Sequence, residues 1–149
     1  MPASAAGGLT MQDIISLSEQ IVEHIADAVV YANRSGTIER WNEACIRLFG
    51  FSKPEALGQN LDLIIPEHLR TAHWRAFEAA VRSGSARLHG RATLTRALHK
   101  DGHKLYVEMS FALVRGEQGA VLGSVAVARD VTSRVEQQRL LRHRDDAGA

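Results

Sequence analysis

Apolar positions along this chain of 149 residues recur at helical spacing, break into alternation, and return to helical spacing. From about Met11 to Ala26, Ile14, Leu17, Ile21 and Ile25 mark one helical stripe, widened by Ile15 and Val22, with Thr10 placed to cap it. Ala28 to Ala32 reads as a short strand. Asn33-Arg34-Ser35-Gly36 is its turn, and the alternating Thr37 to Trp41 is the second strand of a hairpin. Asn42 caps a short helix carrying Cys45, Leu48 and Phe49, which ends at Gly50. Ser52 caps another, with Pro54 in its first turn and Gly58 as its stop. After a short apolar turn from Asn60 to Ile65, Pro66 opens a longer helix closed by Ser83-Gly84-Ser85.

Three longer strands follow, spanning about Arg87 to Leu98, His103 to Val114, and Leu122 to Ala128. Lys100-Asp101-Gly102 and Gly116-Glu117-Gln118-Gly119 supply the turns between them. Residues 132–144 return to helical composition, with Asp130 or Thr132 at the cap and Val135, Gln138 and Leu141 along one side. This order predicts an α+β domain: a five-stranded antiparallel sheet with short helices on one face and a flanking helix at each end. A concave space between sheet and helices is the natural ligand site. The predicted organisation is a disordered segment at residues 1–9, an N-terminal flanking helix at 10–26, the domain proper at 27–131, and a C-terminal helix and tail at 132–149.

One polar residue sits on the apolar stripe of the longer helix. His73 has Leu69 four places before it and Ala76, Phe77 and Ala80 three, four and seven places after. An imidazole there is either a core histidine bonded to a backbone carbonyl or a metal ligand. Composition narrows the setting. A net charge of +1 leaves no footprint for nucleic acid, and no run approaches the roughly 18 apolar residues of a membrane span. Met1 to Leu9 lacks the pattern of a secretory signal. Cys45 is the single cysteine, which excludes an internal disulfide and cysteine-based zinc sites and points to a reducing, cytoplasmic setting. Cys45 itself reads as a small buried hydrophobe. His99 and His103 flank a turn, as exposed residues or as ligands of a metal across the hairpin. His143-Arg144-Asp145 lies in a polar tail without phosphate-binding glycines, and no Gly-x-Ser-x-Gly setting or carboxylate pair is present. An enzyme is not expected.

Fragments spread through the chain resemble a PAS domain of the S-box type. They are Asp27-Ala28-Val29-Val30, Gly36-Thr37-Ile38, Trp41-Asn42-Glu43-Ala44 and Leu48-Phe49-Gly50-Phe51. Glu55 to Asn60, Ile64-Ile65-Pro66, Lys100-Asp101-Gly102 and Arg129-Asp130-Val131-Thr132 follow in order. The resemblance implies a sensory or interaction module, a homodimer, and a downstream kinase, cyclase or regulator. The stripe of Ile14, Leu17, Ile21 and Ile25 suits a parallel pair of N-terminal helices or a helix folded back on its own sheet.

Within that family, Ile64-Ile65-Pro66 through Ala72-His73, with Gly84 and Gly90, resembles the haem-PAS oxygen sensors. That resemblance makes His73 the candidate iron ligand of a haem b (heme b), with a diatomic gas or redox state as the signal. Leu69, Ala72, Ala76, Phe77, Leu88, Leu94, Met109, Phe111 and Val125 are the candidate apolar surroundings. Met109 or His89 is a candidate for the second iron position, Arg91 for a hydrogen bond to bound oxygen, and Arg87, Arg91 or His68 for the propionates. The chain departs from those relatives in carrying Ala76 three places after the histidine, where they commonly have an aromatic, and Thr93 where some keep an arginine. A cofactor-free module for dimerisation or metabolite binding is the alternative. Flavin is not expected, because Cys45 falls outside the reactive-cysteine run of the flavin-binding relatives.

Overall fold

In the computed structural model, which describes residues 8–85 and 91–148, the N-terminal helix α1 spans Met11–His24. A reciprocal capping box starts it: Asp13 N–H donates to the Thr10 side chain, and Thr10 N–H donates to Asp13. The helix stops two residues earlier than its periodicity suggests, because Ile25 turns extended. Strands β1 (Ala28–Asn33) and β2 (Ile38–Trp41) form the first hairpin. Three short helical segments follow: α2 (Glu43–Phe49), α3 (Lys53–Ala56) and a 3-10 turn at Leu61–Ile64. The longer helix α4 is Glu67–Ser83. Strands β3 (Thr93–Leu98), β4 (Lys104–Arg115) and β5 (Val121–Asp130) and helix α5 (Thr132–Ala147) complete the chain.

The five strands make one antiparallel sheet in the order β2-β1-β5-β4-β3, the expected α+β architecture. Pairing fixes which side chains share a face. Val30 lies opposite Ala126, which lies opposite Phe111; Ala28 lies opposite Ala128, which lies opposite Met109. Thr93 faces Met109, Thr95 faces Val107, and Ala97 faces Leu105. This inner face packs on Trp41, at the end of β2, and on Cys45, Phe49, Leu61 and Ile64 from the helical layer. Expected β3 begins at Arg87, whereas the strand begins at Thr93; residues 86–90 lie outside the described residues, as do residues 1–7 of the expected disordered segment.

Asn42 joins the two layers. Its side-chain oxygen accepts from Cys45 N–H at 3.1 Å, capping α2, and from Val29 N–H at 3.0 Å. Its amide nitrogen donates to Val22 and Asp27 carbonyls, both at 2.9 Å, so one buried side chain also closes the end of α1. At the other end, Val131 N–H donates to Tyr106 O, and the Thr132 hydroxyl accepts from Tyr106 N–H and donates to Asp130, stitching the start of α5 to β4. No residue of α1 is buried, and Ile14, Leu17, Ile21 and Ile25 are all exposed. The apolar stripe is therefore not folded back on its own sheet.

Candidate functional site

A cavity of about 320 Å³ lies between the inner face of the sheet, the 3-10 turn and the first half of α4. That is the small end of the range for ligand sites, about 300–1,000 Å³. Leu61, Ile64 and Ile65 wall one side; Met109, Phe111 and Ala126 form part of the floor. Thr93, Thr95 and Ser124 place hydroxyls among these apolar groups. Helix α4 contributes Leu69, Ala72 and His73.

The helix is pinned over the cavity by polar clamps to the segment before it. Trp74 Nε1 donates to Asp62 Oδ1 at 2.7 Å, and Arg70 donates to the Ile65 and Asp62 carbonyls. The indole of Trp74 also lies against the β1–β2 turn: a Cβ on Gly36 would fall 2.2 Å from its Cη2. These contacts fix the azimuth of α4 and so the direction of His73. The His73 ring meets Trp74 edge-on, centroids 4.7 Å apart, and Phe77 at 6.0 Å.

His73 Nδ1 is buried and has no hydrogen-bond partner, the only such side-chain atom among the described residues. The core-histidine reading, with the ring bonded to a backbone carbonyl, is thus not satisfied at that atom. Burial pushes the His73 pKa down from the usual histidine value, against the opposing charge of Asp62. The ring is therefore neutral near pH 7, the form that can ligate a metal. An apolar cavity, a neutral imidazole in its wall and a thioether on its floor are a donor set that suits haem iron.

The cavity brings together some of the expected residues and not others. Leu69, Ala72, His73, Met109 and Phe111 line it. Phe77 is half-buried and acts through its contact with His73 and Trp74 instead. Ala76 is exposed, one turn further along α4 than the cavity reaches. Leu94 and Val125 belong to the opposite face: Leu94 pairs with Glu108, and Val125 pairs with Tyr31 and Ala112. Their neighbours Thr93, Thr95, Ser124 and Ala126 line the cavity instead. Arg91 is exposed and absent from the cavity wall, and His68 is exposed and faces a separate groove with Leu94, Tyr106 and Arg139. Arg87, Leu88 and His89 lie outside the described residues. Sequence reasoning missed Asp62, whose link to Trp74 had no motif to reveal it.

Cys45 is fully buried beside Val29 and is not part of the cavity wall. Desolvation pushes its thiol up to about 12. No helix among the described residues is long and apolar enough to cross a membrane.

The family model for the PAS fold matches residues 17–131. The chain is 29% identical over 113 residues to the oxygen sensor protein DosP of Escherichia coli, covering 76% of this chain and 14% of that protein. It is 26% identical over 121 residues to the sensor protein FixL of Bradyrhizobium diazoefficiens, covering 81% of this chain and 24% of that one. It therefore spans less than a quarter of the length of either relative. Among solved structures, a PAS domain from Colwellia psychrerythraea superposes with a TM-score of 0.70 at 26% identity, covering 80% of this chain and 98% of that one. An RNA-binding light-oxygen-voltage receptor superposes at 0.71 with 24% identity, covering 95% of this chain and 40% of that one, a likeness of fold alone. With its five-stranded sheet, helical layer and the match over residues 17–131, the chain belongs to the PAS family.

Proposed function

We propose that this PAS sensory domain binds haem b, with His73 as the residue that would hold the iron, and responds to a diatomic gas or to redox state. The observation that carries the reading is a neutral imidazole in the wall of an apolar cavity, with no carbonyl bonded to its buried Nδ1. The likeness of the His73 segment to haem-PAS oxygen sensors, and of the chain to an oxygen sensor protein, supports it. Bound haem would supply an iron whose ligation changes with the signal. The protein's part is to hold and exclude. His73, aimed by the Trp74–Asp62 bond, gives the nitrogen donor, and Ile64, Ile65 and Phe111 keep water out. Met109 is the candidate second donor, and Thr93, Thr95 and Ser124 are the hydroxyls in reach of the cavity.

Signal output follows the strands. Met109 and Phe111 lie on β4, and Ser124 and Ala126 on β5, which runs directly into Asp130 and α5. A shift of β4 would be felt by α5 through Arg134–Glu108, 2.5 Å apart, and through Thr132. Such an output requires two arrangements that the ligand distinguishes energetically. In the proposed assembly a second copy pairs through the exposed stripe of α1, and a downstream module receives the change; the domain itself performs no catalysis. Flavin photochemistry is disfavoured because the only cysteine is buried away from the cavity with a raised pKa.

The test is titration of purified protein with hemin. One equivalent should give a sharp Soret band, which shifts or disappears in His73→Ala. If only the broad absorbance of free hemin is seen, a cofactor-free module replaces this reading; a sharp band unchanged in the variant would remove His73 as the ligand.

A further inference from the structure

The turn between β3 and β4 carries His99-Lys100-Asp101-Gly102-His103, three potential ligands at alternate positions. On a straight strand alternate residues share a face but lie well apart; here the turn folds them onto one point. His99 N–H donates to His103 O at 3.1 Å, and Gly102 N–H to His99 O at 2.9 Å, with Gly102 in the left-handed region at φ 93°. The two imidazoles stack with centroids 4.4 Å apart and planes 21° from parallel. Nδ1 of His99 lies 3.1 Å from Asp101 Oδ1, and Nδ1 of His103 contacts the same oxygen. Donor atoms of all three residues fall within 4.8 Å of one another.

From this convergence we propose that the β3–β4 turn is a binding site for one divalent transition-metal ion, held by His99, Asp101 and His103. Two imidazoles and one carboxylate are a donor set that suits zinc and its neighbours in the first transition row, leaving further positions to water. The exposed side of the turn admits that water, since the Asp101 and His103 side chains are 62% and 52% accessible.

The donors are already positioned. Asp101 Oδ1 accepts from His103 N–H at 2.9 Å, and Asp101 N–H donates to His99 Nδ1 at 3.1 Å. Metal entry would replace that last hydrogen bond. The turn as a whole is fastened to the helical layer. Lys100 N–H donates to Phe49 O at 2.9 Å, and Lys100 Nζ lies 2.5 Å from Glu55 Oε2, which neutralises the one cation inside the motif. The His99 ring sits on Gly50, where a Cβ would fall 2.6 Å from its Cε1. An ion here would staple the hairpin to itself at the point where it docks on the end of α2. The site is separate from the cavity and from His73.

Calorimetric titration of the untagged, hemin-free chain with Zn²⁺ tests this. The wild type should take up one Zn²⁺ per chain saturably, and His103→Ala and Asp101→Asn should each weaken it by roughly tenfold or more. His68→Ala should bind as the wild type does. Zn²⁺-induced amide shifts should centre on residues 98–104 and on Gly50. Circular dichroism of the two turn variants should match the wild type, both side chains being exposed. Absence of saturable uptake, or equal uptake by His103→Ala, would overturn the proposal.

Discussion

Replacing Asn42 by alanine should unfold more of the domain's free energy than any other single polar substitution in the helical layer. Asn42 is 1% exposed and makes four hydrogen bonds, two accepted and two donated. Loss of the α2 cap costs about 0.5–2 kcal/mol. Stranding the Val29 N–H, which lies where β2 has ended and no strand can accept it, adds about 1–3 kcal/mol. The expected total is about 1.5–5 kcal/mol, read as a fall in urea midpoint at unchanged slope. Asn42→Asp separates the two halves. It keeps the acceptor for Cys45 and Val29 but turns a second oxygen toward the Val22 and Asp27 carbonyls, so α1 should lose amide protection while α2 retains it. A cost below about 1 kcal/mol for Asn42→Ala would refute the claim that this side chain ties α2 to β1.

Other expectations follow from single contacts. Cys45 should resist alkylation near pH 8: a thiol pushed up to about 12 from 9.0 holds roughly a thousandfold less thiolate. Mass spectrometry should show native protein reacting far slower than urea-unfolded protein, and comparable rates would contradict the burial. Gly123→Ala should cost about 3 kcal/mol, since its Cβ would lie 2.1 Å from the Ala32 carbonyl oxygen in the adjacent strand. A thermal midpoint like the wild type's would show that β1 and β5 can separate freely. Ile14→Glu with Ile21→Glu should lower the mass measured by light scattering, and an unchanged mass would remove α1 as the pairing face.

The order of elements was legible because period two and period 3.6 alternate cleanly along the chain. Parity within β4 was legible too: Leu105, Val107, Met109 and Phe111 all lie on the inner face, as alternation requires. Parity in the neighbouring strands was not. Val121 to Ala128 is apolar or small on both faces, so nothing local says that Ala126 rather than Val125 turns inward. In β3 the apolar Leu94 turns outward and threonines line the cavity, an inversion that only the pairing with β4 reveals. His73 stood out because its stripe was otherwise apolar, but the stripe could not say where along α4 the cavity ends, hence Ala76. The clamp by Asp62 depends on a 3-10 turn bringing it under Trp74, a tertiary event with no local signature.

The central claim concerns one imidazole, and chemical rescue tests it most directly. His73→Gly opens the wall of the cavity without filling it. Hemin-loaded His73→Gly should show a spectrum unlike the wild type's, and added imidazole should restore the wild-type Soret position saturably. A variant whose spectrum already matches the wild type's, or one that imidazole leaves unchanged while it binds hemin, would contradict His73 as the ligand.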